Sequence, residues 1–481
     1  MRYLELGYGQ GFSLNAHAAT DQEAEFWGTD FLPEQALNAR TLALEAGLGT
    51  KTLNYSFAEL DDIARAGKLP AFDIIVFHGI WSWINKENQR HILNIIDTCL
   101  KPGGIVYVSY NAMPGRATLM PVRELMVLHT TRKSPGKDSL TQAREAAQFV
   151  QALEKAGAAF FGETPACQGF VKAMETQPSS YLAHEYLNQD WHAPYIAEIA
   201  NDMAAAKCYF VTSSRPLEGL DLAQPENTLD ILKAIPDAVS REMIRSFNLN
   251  QGFRTDIFLK PGSFLGEDEH KARINQAGFA MMAPLMPERE LAIRLPLDEE
   301  ANLGKDLYYP ILEVLAENSY EPKTLAFLHS HPRLEEMAYG QLLFCINILC
   351  GGGYISLATP APSEKTRAAC QRLNRIQCEK TATGDLQDHL VSPVLGCAMW
   401  VAEHHQFFLL SLASGKKTPA ALAKDTFAAM QAQGKSLRSK NNSPQKPKSE
   451  MEVFLSEANM FNRVFLPWFK AMGITLSPQK N

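Results

Sequence analysis

The sequence predicts an α/β fold: an open, mainly parallel sheet covered by helices, followed by a mostly helical C-terminal region. Strand and helix signals alternate over the first 110 residues, which is typical of parallel strands joined by helical crossovers. The pattern then becomes helical from Met113 to about Asn201, and sheet signals disappear. A glycine-rich turn directly after the first strand predicts close approach of a ligand, because no Cβ is in the way.

Local signals place each element of the first part. Strands are predicted at Tyr3–Leu6, Glu25–Asp30, Lys51–Phe57, Phe72–His78 and Ile105–Tyr110. Helices are predicted at Ser13–Ala19, Pro33–Ala46 and Asn88–Leu100. The second helix has a proline at its start and Gly47 just past its end, which are common helix boundaries. The fourth strand is apolar enough to lie in the centre of a sheet.

The remaining chain carries two late strand signals and many helix signals. The late strands are Lys207–Thr212 and Phe253–Lys260, and a loop-like stretch then runs to about Pro284. Three helices and one strand follow in the order of a winged-helix-like module: Leu307–Glu317, Lys323–Leu328, Leu334–Leu349 and the strand Tyr354–Leu357. Further helices are predicted over Ala398–Gln433 and Met451–Met472, and the basic stretch Lys435–Ser449 between them is predicted to be a flexible linker.

Composition narrows the classes of protein. The net charge of -7 gives no support to nucleic acid as the main partner. No apolar run approaches the roughly 18 residues needed to cross a bilayer, and no secretory signal is visible, so we expect a cytoplasmic protein without a membrane partner. The eight cysteines form no C-x-x-C pair and are predicted to be reduced thiols, mostly in the core.

The turn after the first strand has the spacing E-x-G-x-G-x-G. It consists of Glu5, Gly7, Gly9 and Gly11. Phe12 stands where the dinucleotide fingerprint has its third glycine, and the Gly-Lys-Ser/Thr ending of a P-loop is missing. Asp30 ends the second strand, about 20 residues on, where an acid can accept hydrogen bonds from both ribose hydroxyls. The turn therefore predicts a nucleoside-containing ligand.

These features, with Phe72-Asp73 opening the fourth strand and Leu100–Gly104 before the fifth, resemble the class I S-adenosylmethionine-dependent methyltransferases. The resemblance implies a Rossmann-like sheet and S-adenosylmethionine as the cofactor. It implies cofactor contacts from Glu5, Gly7, Tyr8, Gly9, Gly11, Asp30, Phe31, Ser56, Phe57, His78 and Gly79. Phe57 packs in the core on the alternative interpretation.

Four further stretches narrow the resemblance. They are Phe77–Ile84 (FHGIWSWI), Val108–Gly115 (VSYNAMPG), Tyr181–Leu187 and Ser246–Lys260. They resemble the bacterial methyltransferases that carry a methyltransferase regulatory domain, among them the rickettsial protein-lysine methyltransferases. The resemblance implies methylation of protein lysine side chains; a small-molecule acceptor is the alternative. Because relatives have further residues before the glycine strand, a third hypothesis is a cofactor-binding protein impaired by its short N-terminus.

The resemblance, which is specific up to about residue 260, and the order of elements beyond it together predict the domain boundaries. We expect a cofactor-binding core at 1–115, a helical lid or regulatory region at 116–262 that supplies the last sheet strands, a winged-helix-like domain at 285–434, a linker at 435–449 and a docking helix at 450–481. A homodimer remains open. The recognition-helix candidate Leu334–Leu349 is poor in basic residues, which favours a packing role over DNA binding.

The candidate catalytic residues are His78, Trp81, Trp83, Tyr110 and Asn111. A lysine amine must lose its proton before it can attack, and a dry, aromatic wall favours the neutral amine. The two tryptophans and Tyr110 are candidates for that wall, and their ring faces would also stabilise methylated cations. His78 is a candidate for proton transfer and Asn111 for orienting the acceptor. The alternatives are that both tryptophans pack a helix and that His78 is structural or contacts the cofactor.

Two other groups of residues suggest metal binding only weakly. His184-Glu185 lacks the second histidine of H-E-x-x-H, so it implies no zinc site. Cys397, His404 and His405 are possible ligands, but a helix with a buried cysteine and surface histidines is the favoured interpretation. We therefore predict no metal site.

Overall fold

The structure is a computed structural model and describes residues 1–286, 290–296, 300–437 and 449–477. Among these residues, seven strands form one mixed sheet in the order β3-β2-β1-β4-β5-β7-β6. The strands are β1 (Arg2–Leu6), β2 (Glu25–Thr29), β3 (Lys51–Leu53), β4 (Phe72–Phe77), β5 (Leu100–Asn111), β6 (Tyr209–Ser213) and β7 (Phe253–Leu259). Helices are interspersed with the strands, and the C-terminal region is mostly helical, so the predicted fold class is confirmed.

The two late strands complete the sheet, as predicted. β7 pairs antiparallel with β5, so that Tyr110 lies opposite Arg254 and Val108 opposite Asp256. β6 pairs antiparallel with the other edge of β7. The carboxyl end of β5 is thereby flanked by a strand that comes more than a hundred residues later.

The helices have the following bounds. The first twelve are α1 (Phe12–Thr20), α2 (Pro33–Ala46), α3 (Phe57–Arg65), α4 (Lys86–Cys99), α5 (Met120–Lys133), α6 (Ser139–Lys155), α7 (Ala159–Glu163), α8 (Pro165–Ala173), α9 (Ser179–Leu187), α10 (Ile196–Ala205), α11 (Leu229–Ala234) and α12 (Ala238–Asn248). The others are α13 (Glu267–Gln276), α14 (Lys305–Tyr320), α15 (Leu325–Ser330), α16 (Tyr339–Gly351), α17 (Glu364–Ala382), α18 (Glu403–Ala413), α19 (Pro419–Ala432), α20 (Glu450–Met460) and α21 (Leu466–Ala471). Short 3₁₀ turns include Trp81–Trp83 and Ala117–Leu119, and Phe461–Phe465 is π-helical.

Smaller strands lie in the C-terminal region. They are β8 (Gly278–Met281), β9 (Ala292–Arg294), β10 (Glu300–Asn302), β11 (Lys323–Thr324), β12 (Ile355–Ala358), β13 (His389–Ser392) and β14 (Cys397–Trp400). β8 pairs with both β11 and β12, and α14, α15 and α16 precede β12 in the predicted order.

The chain divides into two compact units, Met1–Asn54 with Phe264–Asn481, and Tyr55–Ser263. In the first unit α17 packs against α1 and α2, the helices that follow the glycine turn and Asp30. Small residues allow this close packing, with Cys370 buried against Ala19 and Ala46. Arg372 Nε donates to the carbonyl oxygen of Ala46 at 2.7 Å. The C-terminal region thus supports the helices behind the glycine turn; the predicted domain boundaries stay predictions.

A second cluster of the first unit contains α18–α21. Phe408, Phe454, Phe461 and Trp468 are buried there. In the second unit, α5, α6, α8 and α9 share a separate core around Val122, Ala146 and Leu182. The helical character predicted for residues 116–200 is therefore confirmed, and α9 is held against its neighbours by apolar contacts.

Several predicted element bounds are wrong. The third strand ends at Leu53, and α3, which was not predicted, begins with a capping box formed by Ser56 and Glu59. The Leu100–Gly104 stretch is part of β5, where the pairing with β4 shifts register, because the extra residues are accommodated as a bulge.

The C-terminal predictions also contain errors. The expected loop after Pro261 contains α13 and β8, and α17 was not predicted. Ala398–Trp400 belongs to a hairpin of β13 and β14 rather than to a helix. Of the predicted linker, residues 438–448 lie outside the described residues.

The sequence predicts that no segment crosses a membrane and that the cysteines are reduced and mostly buried. Among the described residues, no helix combines the length and apolarity that crossing a membrane requires. All eight cysteines are free, and six are buried. Burial raises the pKa of Cys370 to about 12, which keeps that thiol protonated and unreactive.

Candidate active site

The glycine turn uses the conformational freedom of its residues. Gly7, Gly9 and Gly11 have φ angles of 74°, 56° and 77°, in the left-handed region that favours glycine. A Cβ at Gly11 would overlap the side chain and backbone of Ala39. A Cβ at Gly9 would meet no atom within 4 Å. Gly11 is therefore required by packing, whereas the space over Gly9 is open to a ligand.

Asp30 fixes the turn through its carboxylate. Its Oδ2 accepts from the backbone N–H of Gly9 and its Oδ1 from that of Leu32, both at 3.0 Å. The side chain is buried at 8% exposure, and the neighbouring Phe31 is 66% exposed. A carboxylate has about four lone-pair sites, so both oxygens still have capacity for ribose hydroxyls.

Glu5 and Tyr8 lie at the glycine turn, and their side chains point into the protein interior. Ser13 Oγ and the Tyr3 hydroxyl both donate to the Glu5 carboxylate. Burial raises the pKa of Glu5 above its ordinary value of 4.5, against the effect of those two hydrogen bonds. The Tyr8 hydroxyl donates to the carbonyl oxygen of Leu53 at 2.7 Å. Both side chains therefore stabilise the turn from within.

An Asp30→Asn variant is expected to bind S-adenosylmethionine about 10- to 100-fold more weakly. The amide loses one charged acceptor and places an NH₂ group against a backbone N–H, and hydrogen bonds to charged groups contribute about 1.5–3 kcal/mol each. Isothermal titration calorimetry measures the change. Asp21→Asn is the matched control, because Asp21 also accepts from the backbone N–H two residues on. Equal affinities of the two variants would contradict the assignment.

Ser56 and Phe57 stand at the start of α3. The Ser56 hydroxyl donates to the Glu59 carboxylate and accepts from the Glu59 N–H. Phe57 is the first helical residue and is half-buried. Ser56 therefore has a capping role, and both its cofactor contact and that of Phe57 stay predictions.

His78 and Gly79 follow β4. His78 is exposed, and its Nδ1 lies 2.9 Å from Ser109 Oγ and 3.2 Å from the Tyr107 hydroxyl. Gly79 has a φ of 63°, and its N–H donates to Ser109 Oγ at 2.7 Å. Desolvation lowers the pKa of His78 below its ordinary value of 6.5. The ring is therefore neutral at pH 7, and Ser109 connects it to the end of β5.

The two tryptophans have different surroundings. Trp81 is 1% exposed and packs on Phe77, with ring centroids 5.6 Å apart, which favours the packing interpretation. Trp83 is partly exposed and stacks on His184 of α9 at 5.2 Å. Its indole N–H is buried without a hydrogen-bond acceptor among the described residues. Trp83 is therefore the better candidate for a wall of the acceptor site.

Tyr110 and Asn111 point to opposite faces of β5, because side chains alternate along a strand. Tyr110 is fully buried, and its hydroxyl donates to Asp256 Oδ2 at 2.6 Å. Asp256 in turn accepts from Arg254, which the structure places on the same face. The geometry favours a structural role for Tyr110.

Asn111 connects β5 to α9. Its Oδ1 accepts from Arg116 Nη2 at 2.8 Å, and its Nδ2 donates to Glu185 Oε1 at 3.4 Å. Ser82 Oγ accepts from the Asn111 backbone N–H at 2.8 Å. Asn111, Arg116 and Glu185 therefore form a polar cluster at the carboxyl end of β5, the edge where open α/β sheets bind ligands.

Sequence analysis missed three contributors to this region: Ser109, Arg116 and Glu185. Strand alternation places Ser109 on the face of Asn111 and was a usable signal. Arg116 and Glu185 are brought together by the fold, and no spacing rule indicates that contact.

The turn fits an S-adenosyl group. The space over Gly9 is open, and Asp30 retains acceptor capacity for ribose hydroxyls. The seven-stranded order with an antiparallel β7, together with this turn, defines a class I S-adenosylmethionine-dependent methyltransferase.

Comparison with known proteins agrees with this class. Residues 4–106 match a methyltransferase domain family, and residues 178–260 match a predicted methyltransferase regulatory domain family. The protein sll1526 of Synechocystis sp. is 30% identical over 478 residues, 98% of this chain and 91% of the relative. The chain belongs to the family of S-adenosylmethionine-dependent methyltransferases that carry a methyltransferase regulatory domain.

Rickettsial proteins are more distant relatives. The Rickettsia prowazekii protein RP789 is 26% identical over 295 residues, 60% of this chain and 51% of the relative. PKMT2 from Rickettsia typhi, solved in complex with AdoHcy, has the same fold with a TM-score of 0.67 at 20% identity, covering 98% of this chain and 93% of that one.

Proposed function

We propose that the protein transfers the methyl group of S-adenosylmethionine to lysine side chains of proteins. The observation that carries the proposal is the cluster at the end of β5, in which the buried carboxylate of Glu185 lies beside Asn111, and Trp83 stacks on the adjacent His184. An anionic group next to aromatic rings suits an acceptor that carries a positive charge before and after reaction. The motif resemblance to rickettsial protein-lysine methyltransferases supports the same acceptor.

The cofactor supplies an activated methyl group on a sulfonium, so the protein needs mainly to position a nucleophile and exclude water. Gly7, Gly9 and Asp30 would hold the cofactor. Asn111, fixed by Arg116 and Ser82, is set to orient the acceptor. The net reaction consumes one ammonium and releases one proton, because the amine nitrogen must be neutral when it forms its new bond to carbon.

Neutral His78 is the candidate that relays this proton. Its lowered pKa leaves an unprotonated ring nitrogen at pH 7, and Ser109 and Tyr107 hold the ring at the end of β4. In this proposal Trp83 lines the acceptor site, whereas Trp81 and Tyr110 support the elements that carry it.

Incubation with tritiated S-adenosylmethionine and a bacterial lysate is expected to label protein. Acid hydrolysis of the labelled protein, followed by amino-acid analysis, should recover the label as methylated lysine. An Asp30→Asn variant serves as the control for enzyme-dependent labelling. Label in the small-molecule fraction alone would contradict the proposal and favour a small-molecule acceptor, and label on another amino acid would exclude lysine.

A further inference from the structure

Helix α9 carries the buried acid on which the proposed preference for a cationic acceptor depends. Glu185 is 5% exposed and lies in the Tyr181–Leu187 motif, inside the regulatory-domain match. Apolar residues of the same helix, Leu182 and Tyr186, pack into the core shared with α5 and α6. The carboxylate is therefore held in place by the packing of its own helix.

The hydrogen bonds of the cluster fix the orientation of the Asn111 amide, and with it the role of Glu185 as a hydrogen-bond acceptor. Arg116 has only donors, so the Asn111 oxygen must face Arg116 and the Asn111 NH₂ group must face Glu185. Arg116 Nε is occupied by the carbonyl oxygen of Gly252 at 3.0 Å. The amide orientation is thus fixed from two sides, and it requires an acceptor at Glu185 Oε1.

One oxygen of Glu185 remains for a ligand. Oε1 receives Asn111 and lies 3.5 Å from Arg116 Nη2, whereas no hydrogen bond reaches Oε2 from the described residues. Burial raises the pKa of Glu185, while Arg116, His184 and Asn111 favour its ionised form. Oε2 is not among the fully buried atoms, so a cationic donor from a ligand can reach it and form a charge-assisted hydrogen bond.

A neighbouring side chain also has a polar group without a hydrogen-bond partner among the described residues. The Trp83 indole N–H is buried without an acceptor among the described residues, and its ring stacks on His184, next to Glu185 in the chain. Buried donors and acceptors are normally paired. A ligand that brings both an ammonium and a carbonyl oxygen matches these two groups, and a lysine within a peptide has both.

We propose that Glu185 is the binding residue for the ammonium of the acceptor lysine, and that Trp83 donates to a carbonyl oxygen of the acceptor peptide. This inference rests on the proposed lysine methylation and names the groups that select the lysine. Arg116 acts through Glu185 and Asn111, so it is a positioning residue. The regulatory segment would therefore contribute substrate recognition as well as the last strands of the sheet.

The test compares Glu185→Gln with Glu175→Gln. Both variants remove one negative charge from the second unit, and Glu175 is half exposed beside Lys155, outside the cluster. The probe is poly-L-lysine at about 0.3 M salt, which shortens the range of unspecific attraction. We expect Glu185→Gln to raise the KM for poly-L-lysine about 10- to 100-fold, as for loss of a hydrogen bond to a charged group, with an unchanged Kd for S-adenosylmethionine. Glu175→Gln should leave both constants unchanged.

Direct binding separates this inference from the proposed function. Calorimetry with poly-L-lysine in the presence of S-adenosylhomocysteine should show binding to the wild type and to Glu175→Gln, and weakened binding to Glu185→Gln. Glu185-dependent binding without methyl transfer would overturn lysine methylation and leave the binding assignment standing. Methyl transfer with an unchanged KM for Glu185→Gln would overturn the assignment alone.

Protein folding and charge provide two further checks. Glu185→Asp keeps the charge and withdraws it by one methylene, so an intermediate KM is expected. If the wild type does not bind poly-L-lysine, the assignment is overturned. It is also overturned if Glu185→Gln raises the Kd for S-adenosylmethionine by as large a factor as it raises the KM for poly-L-lysine, because a general structural defect explains that pattern.

Discussion

A Gly9→Ala variant is expected to bind S-adenosylmethionine at least about tenfold more weakly than the wild type while remaining folded. Gly9 has a φ of 56°, and a Cβ there meets no protein atom within 4 Å, so the methyl group projects into open space at the turn. In the proposed function the cofactor approaches the backbone through this space, where a methyl group would obstruct it. Calorimetric titration with S-adenosylmethionine measures the loss, and thermal unfolding monitors the fold.

Gly67→Ala is a closely matched control for this experiment. Gly67 has a φ of 68°, and its added Cβ also meets nothing within 4 Å. The cost of a left-handed alanine, about 1–2 kcal/mol, is therefore similar in both variants. A decrease in affinity confined to Gly9→Ala identifies contact with the cofactor. An equal decrease in both variants would assign the effect to backbone strain and contradict a cofactor contact at Gly9.

The sheet could be predicted from the sequence because its signals are local. The apolar β4, the acid after β2 and the glycine turn each occupy a short stretch, and α2 ends at its predicted residues. The region between Met113 and Asn201 offers no strand signal, so the last two strands of the sheet were predicted from the strand signals that follow it. α3 was missed although Ser56 and Glu59 form a readable capping box.

The candidate site was only partly predictable. Strand periodicity separates Tyr110 from Asn111, yet both were predicted to contact the acceptor, Tyr110 as part of an aromatic wall and Asn111 by a hydrogen bond. Glu185 was assessed as half of a zinc motif, because a sequence offers no means of bringing residue 185 to residue 111. That contact depends on how α9 packs against α5 and α6, and tertiary packing of this kind has no short-range signal.

An Asp256→Ala variant is expected to lower the free energy of unfolding by about 3 kcal/mol, the lower end for breaking a buried ion pair, because Arg254 loses two charged hydrogen bonds and keeps Glu242 as its anionic partner. Arg254 is 1% exposed, and its Nη2 and Nε donate to the two carboxylate oxygens of Asp256 at 2.8 and 3.1 Å. Burial opposes the charge of Arg254, but Asp256, Tyr110 and Glu242 raise its pKa, so it stays charged. Urea unfolding followed by circular dichroism measures the difference.

Asp97→Ala provides the comparison within the same unit. Asp97 pairs with Lys207 at 2.7 Å and is 37% exposed, and such surface pairs contribute only about 0–1 kcal/mol. If Asp256→Ala costs no more than Asp97→Ala, the buried network does not hold β7 against β5. A large cost would instead support a structural role for Tyr110, because its hydroxyl belongs to the network that holds β7 against β5, and the sheet face bearing Asn111 depends on that strand.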